Sequence, residues 1–327
     1  MQSVPYTPSV WLRNAHLQTF LASAKFRAWG KNDMASHAEP RIIDTTDGTR
    51  LLGYLSRHPG TTDNGLVILL HGWEGSANST YILTSGRRLY HHGFDVFRLN
   101  LRDHGPSHHL NSGLFYAVML DEVFQAVQQI AEDAMPRPIF MAGFSLGGNY
   151  TLRIARRCRD NPIPNLKHAI AISPGLNPSK ATDKIDGNPF VRNYFLKKWR
   201  RSLSIKQGLY ANLYDFSELM SRDNIRTMTE ILLKKYSPFR NANEYFNAYA
   251  VLGDALKSVE TPVTIITSAD DPIIPVEDFH RLELNPSTRL MIPPYGGHNG
   301  FLQDVRLTGW YEMMCVNTFN DYRLSEK

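Results

Sequence analysis

The residue with the plainest chemical signature is a serine. Gly143-Phe144-Ser145-Leu146-Gly147 has the G-x-S-x-G spacing, and the apolar run Ile139-Phe140-Met141-Ala142 leads straight into it. A strand entering and a helix leaving such a sequence make a sharp turn with the serine at its apex. Strained backbone angles there demand small residues two positions to either side, which accounts for both glycines. The turn lifts the hydroxyl above the sheet edge and aims the first N–H groups of the following helix at the same space. The expected chemistry is attack by Ser145 on a carbonyl carbon, giving an acyl-enzyme.

A serine hydroxyl is too weak an acid to attack unaided and needs a base poised near neutrality. Of twelve histidines, His298 is the candidate, because Gly296-Gly297-His298 follows the last expected strand and precedes the last expected helix. Loops at the C-terminal edge of a parallel sheet converge where Ser145 should sit. The acid that orients the imidazole is expected in Ser268-Ala269-Asp270-Asp271-Pro272, after the preceding strand. Adjacent aspartates point differently, so one of them serves. Asp271 is favoured, since Pro272 biases it toward an extended backbone; Asp270 is the alternative. The chain order is then nucleophile, acid, histidine.

A tetrahedral oxyanion needs pre-aimed N–H donors. The backbone of Leu146 is expected to supply one. The second is assigned to the backbone of Trp73, in the loop His71-Gly72-Trp73-Glu74-Gly75 that follows the first buried strand. His71 and Glu74 are read as supporting that loop through hydrogen bonds.

The elements that must position these groups follow from patterning. Arg41–Asp44 and Arg50–Arg57 read as a hairpin across Thr46-Asp47-Gly48. The continuous apolar run Leu66–Leu70 reads as a strand covered on both faces. Helices are expected over Tyr81–His92, Leu114–Ala134 and Asn149–Arg159, with strands at Phe94–Leu99, Ile139–Ala142 and Ala169–Ser173. Such alternation predicts right-handed βαβ units and a mostly parallel sheet flanked by helices. From 178 to 260 the pattern is helical with no convincing strand, which predicts an inserted helical lid. The core then comprises 1–177 and 261–327, with strands resuming at Pro262–Thr267 and Arg289–Ile292 and a last helix over Gly300–Tyr322.

Composition narrows the rest. Hydrophobic content of 42% with 20% charged residues is ordinary for a globular chain. The longest apolar run is far too short to cross a bilayer, and the first residues, Met1 to Tyr6, lack the basic and apolar regions of a signal peptide. Two cysteines, Cys158 and Cys315, exclude a disulfide framework and make a reducing cytoplasm the expected compartment. The net charge of +5 is mild. Basic clusters at Arg153–Arg159 and Lys197–Arg201 read as solvated helix faces, without nucleic-acid signatures. No H-E-x-x-H or clustered ligand spacing is present, so neither a metal nor another cofactor is expected. The large apolar residues Trp11, Leu12, Leu17, Phe20, Leu21, Phe26 and Trp29 are read as packing on the domain, with transient contact to a membrane surface as the alternative.

With these residues in hand, the sequence resembles the YheT-like branch of the α/β-hydrolase superfamily, over about Pro8 to Leu302. The resemblance rests on the stretch from Trp11 to Thr19 (WLRNAHLQT), the one from His71 to Ser79 (HGWEGSANS), and Gly143 to Asn149 (GFSLGGN). Arg102-Asp103-His104-Gly105 and Gly296 to Phe301 also fit, and Asp271 to Pro275 resembles the acid loop of many α/β hydrolases. Trp73 departs from the smaller aliphatic residue expected there and would narrow an acyl pocket.

The resemblance implies a carboxylesterase with a helical cap, whose relatives include lipases and alcohol acyltransferases. The expectation is therefore a serine hydrolase for short- to medium-chain acyl esters or thioesters. The alternatives are acyl transfer to an alcohol by the same three residues and a non-catalytic scaffold binding lipid or protein.

Overall fold

The computed structural model describes residues 5–60 and 64–325, with the backbone alone for 323–325. The first four residues, on which the absence of a signal peptide was partly read, lie outside the described residues. The strands are β1 (Ala38–Asp44), β2 (Arg50–Ser56), β3 (Leu66–Leu70), β4 (Asp95–Leu99), β5 (Ile139–Phe144), β6 (Leu166–Ile172), β7 (Val263–Ile266) and β8 (Thr288–Met291). They form one sheet in the order β1-β2-β4-β3-β5-β6-β7-β8. β2 pairs antiparallel with β1 and β4, and every other pairing is parallel. This is the α/β-hydrolase fold.

The helices are α1 (Ala15–Ala22), α2 (Asp33–Ser36), α3 (Thr80–His91), α4 (Leu120–Ala134), α5 (Leu146–Arg157), α6 (Pro178–Gly187), α7 (Pro189–Leu209), α8 (Ser217–Met220), α9 (Ile225–Tyr236), α10 (Ala242–Ala248), α11 (Val276–His280) and α12 (Trp310–Ser325). β3 is apolar throughout because its two faces meet different layers. Leu66, Ile68 and Leu70 pack with Val123 and Phe124 of α4 and Leu152 of α5. Val67 and Leu69 pack instead with Ile82 and Leu89 of α3 and Phe319 of α12. The side-chain period of two along a strand produces this division.

Between β6 and β7 the chain makes five helices, α6 to α10, and no strand. Four of them start on an asparagine whose side chain accepts from the first turn: Asn177, Asn188, Asn224 and Asn241. Pro178 and Pro189 open α6 and α7, where a missing N–H costs nothing.

Three helix starts differ from the sequence reading by three residues or more. The helix expected from Leu114 begins at Leu120. Upstream, the Phe115 N–H donates to Asp103 Oδ2 at 3.0 Å, and the Ala117 N–H, the first that a helix from Leu114 would bond internally, donates to the Tyr245 hydroxyl at 2.9 Å. The helix expected from Asn149 begins at Leu146, directly after the serine. The last helix, expected from Gly300, begins at Trp310. Positive φ at Asn299, Phe301 and Leu307 bars a helix before it, and a bridge between Leu302 and Gly309 closes the loop.

Among the described residues no helix is long and apolar enough to cross a membrane.

Candidate active site

Ser145 joins β5 to α5 with φ 54° and ψ −115°, a left-handed conformation that a serine adopts only when its surroundings enforce it. Its N–H donates to Ile172 O of β6 at 2.9 Å. The flanking glycines are required by contact. A Cβ at Gly143 would stand 2.2 Å from Gly147 O, and one at Gly147 would stand 2.3 Å from Leu70 O.

His298 reaches this serine from the other end of the chain. Its Nε2 lies 2.9 Å from Ser145 Oγ, and its Nδ1 lies 2.9 Å from Asp271 Oδ2. An ionised carboxylate only accepts, so the imidazole proton sits on Nδ1, and Nε2 accepts from the serine hydroxyl. The other oxygen of Asp271 accepts from the Ile273 and Ile274 N–H groups at 2.8 and 2.9 Å, and its side chain is wholly buried.

The two aspartates have separate partners. Asp270 turns away from the imidazole and accepts from the Gly297 N–H at 2.8 Å. Burial raises its pKa, and its second oxygen has no partner.

Asp270 is one of three clamps on the histidine loop. The His298 N–H donates to Thr19 Oγ1 of α1 at 2.9 Å, and the Asn299 N–H donates to Ser173 Oγ, just past β6, at 3.1 Å. Three successive amides are thus each taken by a side chain from a different part of the chain. Thr19 gives its own proton to Ala15 O, which leaves its oxygen free to accept. The adjacent Gln18, wholly buried, receives the Leu302 N–H at 2.8 Å and donates to Leu302 O and Leu12 O. Sequence reasoning had flagged the stretch Trp11 to Thr19 but missed this role. A glutamine–threonine pair on a mainly apolar helix was the available signal.

Ser145, Leu146 and Trp73 line one cavity of about 160 Å³ between the sheet edge and the α6–α10 segment. Leu146 opens α5, so its N–H has no partner within the helix. The Trp73 ring stacks on Phe195 of α7 at 5.3 Å, which brings the loop after β3 against that helix. Ile185, Leu203, Leu232 and Phe246 make the far wall apolar.

Glu74, Asp103 and Lys206 bring polar groups to the cavity wall, and His71 supports the loop that carries Glu74. His71 donates from Nδ1 to Gly72 O and accepts the Leu101 N–H at Nε2, and burial pushes its pKa down to about 4, so it is neutral. The loop-supporting role expected of His71 is what these bonds provide. Glu74 has φ 54°, and burial pushes its carboxyl pKa up to about 8. Asp103 accepts from Lys206 Nζ of α7 at 2.7 Å. Lys206 also donates to Asn111 O and Gly113 O, at 2.7 and 2.8 Å.

Cys158 and Cys315 are free and buried. Among the described residues no group of His, Cys, Asp or Glu side chains converges to hold a metal ion.

Comparison with known proteins agrees with this architecture. The chain is 23% identical to an abhydrolase domain-containing protein of Dictyostelium discoideum, over 98% of this chain and 82% of that protein. It is 24% identical to phospholipase ABHD3 of Bos taurus, over 92% of this chain and 74% of that protein. The Pyrococcus furiosus esterase Pf2001 superposes with a TM-score of 0.57 at 19% identity, covering 90% of this chain and 94% of the esterase. Residues 61–288, more than half of the chain, match the family Hydrolase_4, described as serine aminopeptidase, S33, and the chain belongs to that family of α/β hydrolases.

Proposed function

We propose that the chain is a carboxylic ester hydrolase that works through an acyl-enzyme on Ser145. The observation that carries this reading is the unbroken run from Asp271 through His298 to Ser145, with 2.9 Å at each step, beside an apolar cavity. His298 Nε2 takes the hydroxyl proton as Ser145 Oγ bonds to the ester carbonyl carbon. The carbonyl oxygen becomes an oxyanion held by the backbone N–H groups of Trp73 and Leu146. Its collapse expels the alcohol, which leaves with the proton from His298. Water, deprotonated by the same imidazole, then releases the acid and restores the serine. Asp271 keeps the imidazole in the required tautomer.

The α6–α10 segment is proposed to act as a lid over the acyl group, within a core of 1–177 and 261–327. The stretch from Trp11 to Thr19 favours the YheT-like branch. An ester fits the cavity better than a peptide with a free amino terminus. Such a substrate needs an ionised acid, whereas burial holds Glu74 protonated at neutral pH and Asp103 is engaged by Lys206. A short- to medium-chain acyl ester meets no such demand, and the name of the bovine relative points toward lipid esters.

The test pairs p-nitrophenyl butyrate with an aminoacyl p-nitroanilide, alongside fluorophosphonate labelling. Turnover of the ester only, with label on Ser145 and loss of both in Ser145→Ala, is expected. Full ester turnover by Ser145→Ala would overturn the mechanism, and preferential cleavage of the anilide would overturn the substrate class.

A further inference from the structure

The segment that clamps the histidine loop from behind carries large apolar groups on its outer side. Val10, Phe20 and Trp29 are 76%, 73% and 74% exposed, and Trp11 and Phe26 are each about half exposed. A neighbouring loop adds Val305 at 79%. Two attachments bring that loop alongside. Ser9 donates to Gln303 O from both its N–H and its hydroxyl, and Arg27 Nε donates to Leu307 O at 3.1 Å. Val305 lies between these ties. Phe26 and Trp29 meet edge to face, 6.3 Å apart.

Expectation from the sequence had these residues packing on the domain, and for Leu12, which is buried, and for Leu17 and Leu21, which are partly buried, they do. The exposed set is left over. Scattered exposed apolar residues need no explanation, but a run of aromatics on one short segment does.

Charge says what covers it. Residues 5–32 contain Arg13, Lys25, Arg27 and Lys31 and no aspartate or glutamate; Arg27 is buried against Glu312 of α12, which leaves Arg13, Lys25 and Lys31 exposed. Arg87 donates to Trp29 O, and Arg306 sits exposed next to Val305. The flanking acids are Asp33, paired with Lys31 at 3.0 Å, and Asp304, which accepts from the Arg306 and Thr308 N–H groups. A second copy of the chain docking through this face would set these positive charges against one another, since a two-fold contact is self-complementary. A bilayer with anionic headgroups offers the opposite: apolar depth for the rings and negative charge for the basic side chains.

We propose that this face, built on residues 10–31 and the loop around Val305, docks the protein onto an anionic phospholipid surface. α1 stands between that surface and His298, so docking sets the histidine loop close to the lipid from which an ester is drawn. The binding itself does not depend on the ester reading.

The test is co-sedimentation of the full chain, without substrate, with phosphatidylcholine vesicles and with mixed phosphatidylcholine–phosphatidylglycerol vesicles. Binding to the mixed vesicles, weakened by added salt, is expected. The pair Phe20→Ser and Trp29→Ser should reduce partitioning at least about tenfold, because two rings no longer enter the lipid. Lys25→Glu should reduce it separately, and thermal melting and turnover of soluble p-nitrophenyl butyrate should stay unchanged in both variants. No sedimentation with mixed vesicles would overturn the proposal, as would binding indifferent to both sets of substitutions. Dissociation of a dimer as the sole effect of the ring substitutions would also overturn it, in favour of a second copy.

Discussion

The histidine loop and the α6–α10 segment both meet the site around Ser145, yet one is tied down through its backbone and the other through side chains. On the loop, the amides of Gly297, His298 and Asn299 donate to Asp270, Thr19 and Ser173. These are short side chains with few rotamers to lose, each rooted in a different element. The segment meets the sheet edge differently. Lys206, Tyr210, Tyr214 and Tyr245 reach from the helices to the loop 103–117, and Tyr116 and Asn149 reach the other way. In each of these bonds a side chain spans the gap. A backbone clamp fixes an imidazole to within the tolerance that proton transfer needs, whereas a set of long side chains can release and re-form as a unit. These bonds predict that the loop is held more firmly than the segment.

The sharpest break comes at the imidazole itself. His298→Ala should lower kcat on p-nitrophenyl esters at least about ten-thousand-fold, with little change in melting temperature. Asp271→Asn should approach the same loss, about ten-thousand-fold, because the amide favours the wrong tautomer. Asp270→Asn, which alters a clamp and leaves the tautomer alone, should cost only about tenfold; steady-state kinetics on the two variants distinguishes these roles. Equal losses would mean that the two aspartates act together.

On the other wall, Lys206→Met should destabilise the fold by about 3–5 kcal/mol, since it leaves Asp103 buried without its cation. Denaturant titration measures that loss. Hydrogen exchange should show α7 opening at lower free energy than the loop 297–299; the reverse order would mean that the segment is the more firmly held of the two.

Much of this was legible beforehand. The nucleophile turn, the histidine loop and the parallel strands each carry a local signature, from glycines at fixed spacing to the unbroken apolar run of Leu66–Leu70. The aspartate pair was narrowed by Pro272, and the geometry places Asp271 against the imidazole. What stayed hidden depends on distant partners. Nothing local in Thr19 announces that it receives an amide 279 positions away. Nor does the patterning of 114–119 reveal that Tyr245 draws off the Ala117 amide, which a helix there would have used. Helix ends misread at Leu114 and Gly300 were both places where tertiary contacts or positive φ overrode an apolar rhythm.

A smaller effect sharpens the picture at the polar groups of the cavity wall. Glu74 has its pKa raised from an ordinary 4.5 to about 8, so the folded chain keeps a proton that the unfolded chain has lost. Stability should then fall as pH climbs from about 4.5 to about 8 and change no further on this account above it. Thermal melts of Glu74→Gln across that window should show a flatter profile, with the variant gaining on the parent toward alkaline pH. Profiles that run parallel would mean that Glu74 is ionised at neutral pH.

Gln18 binds both the amide and the carbonyl of Leu302, across 284 positions of chain. During synthesis the serine turn emerges from the ribosome long before its base does, and the base in turn gains its support only by folding back onto the first helix made. A chain that stops short of residue 302 therefore lacks the contacts that tie the histidine loop to α1.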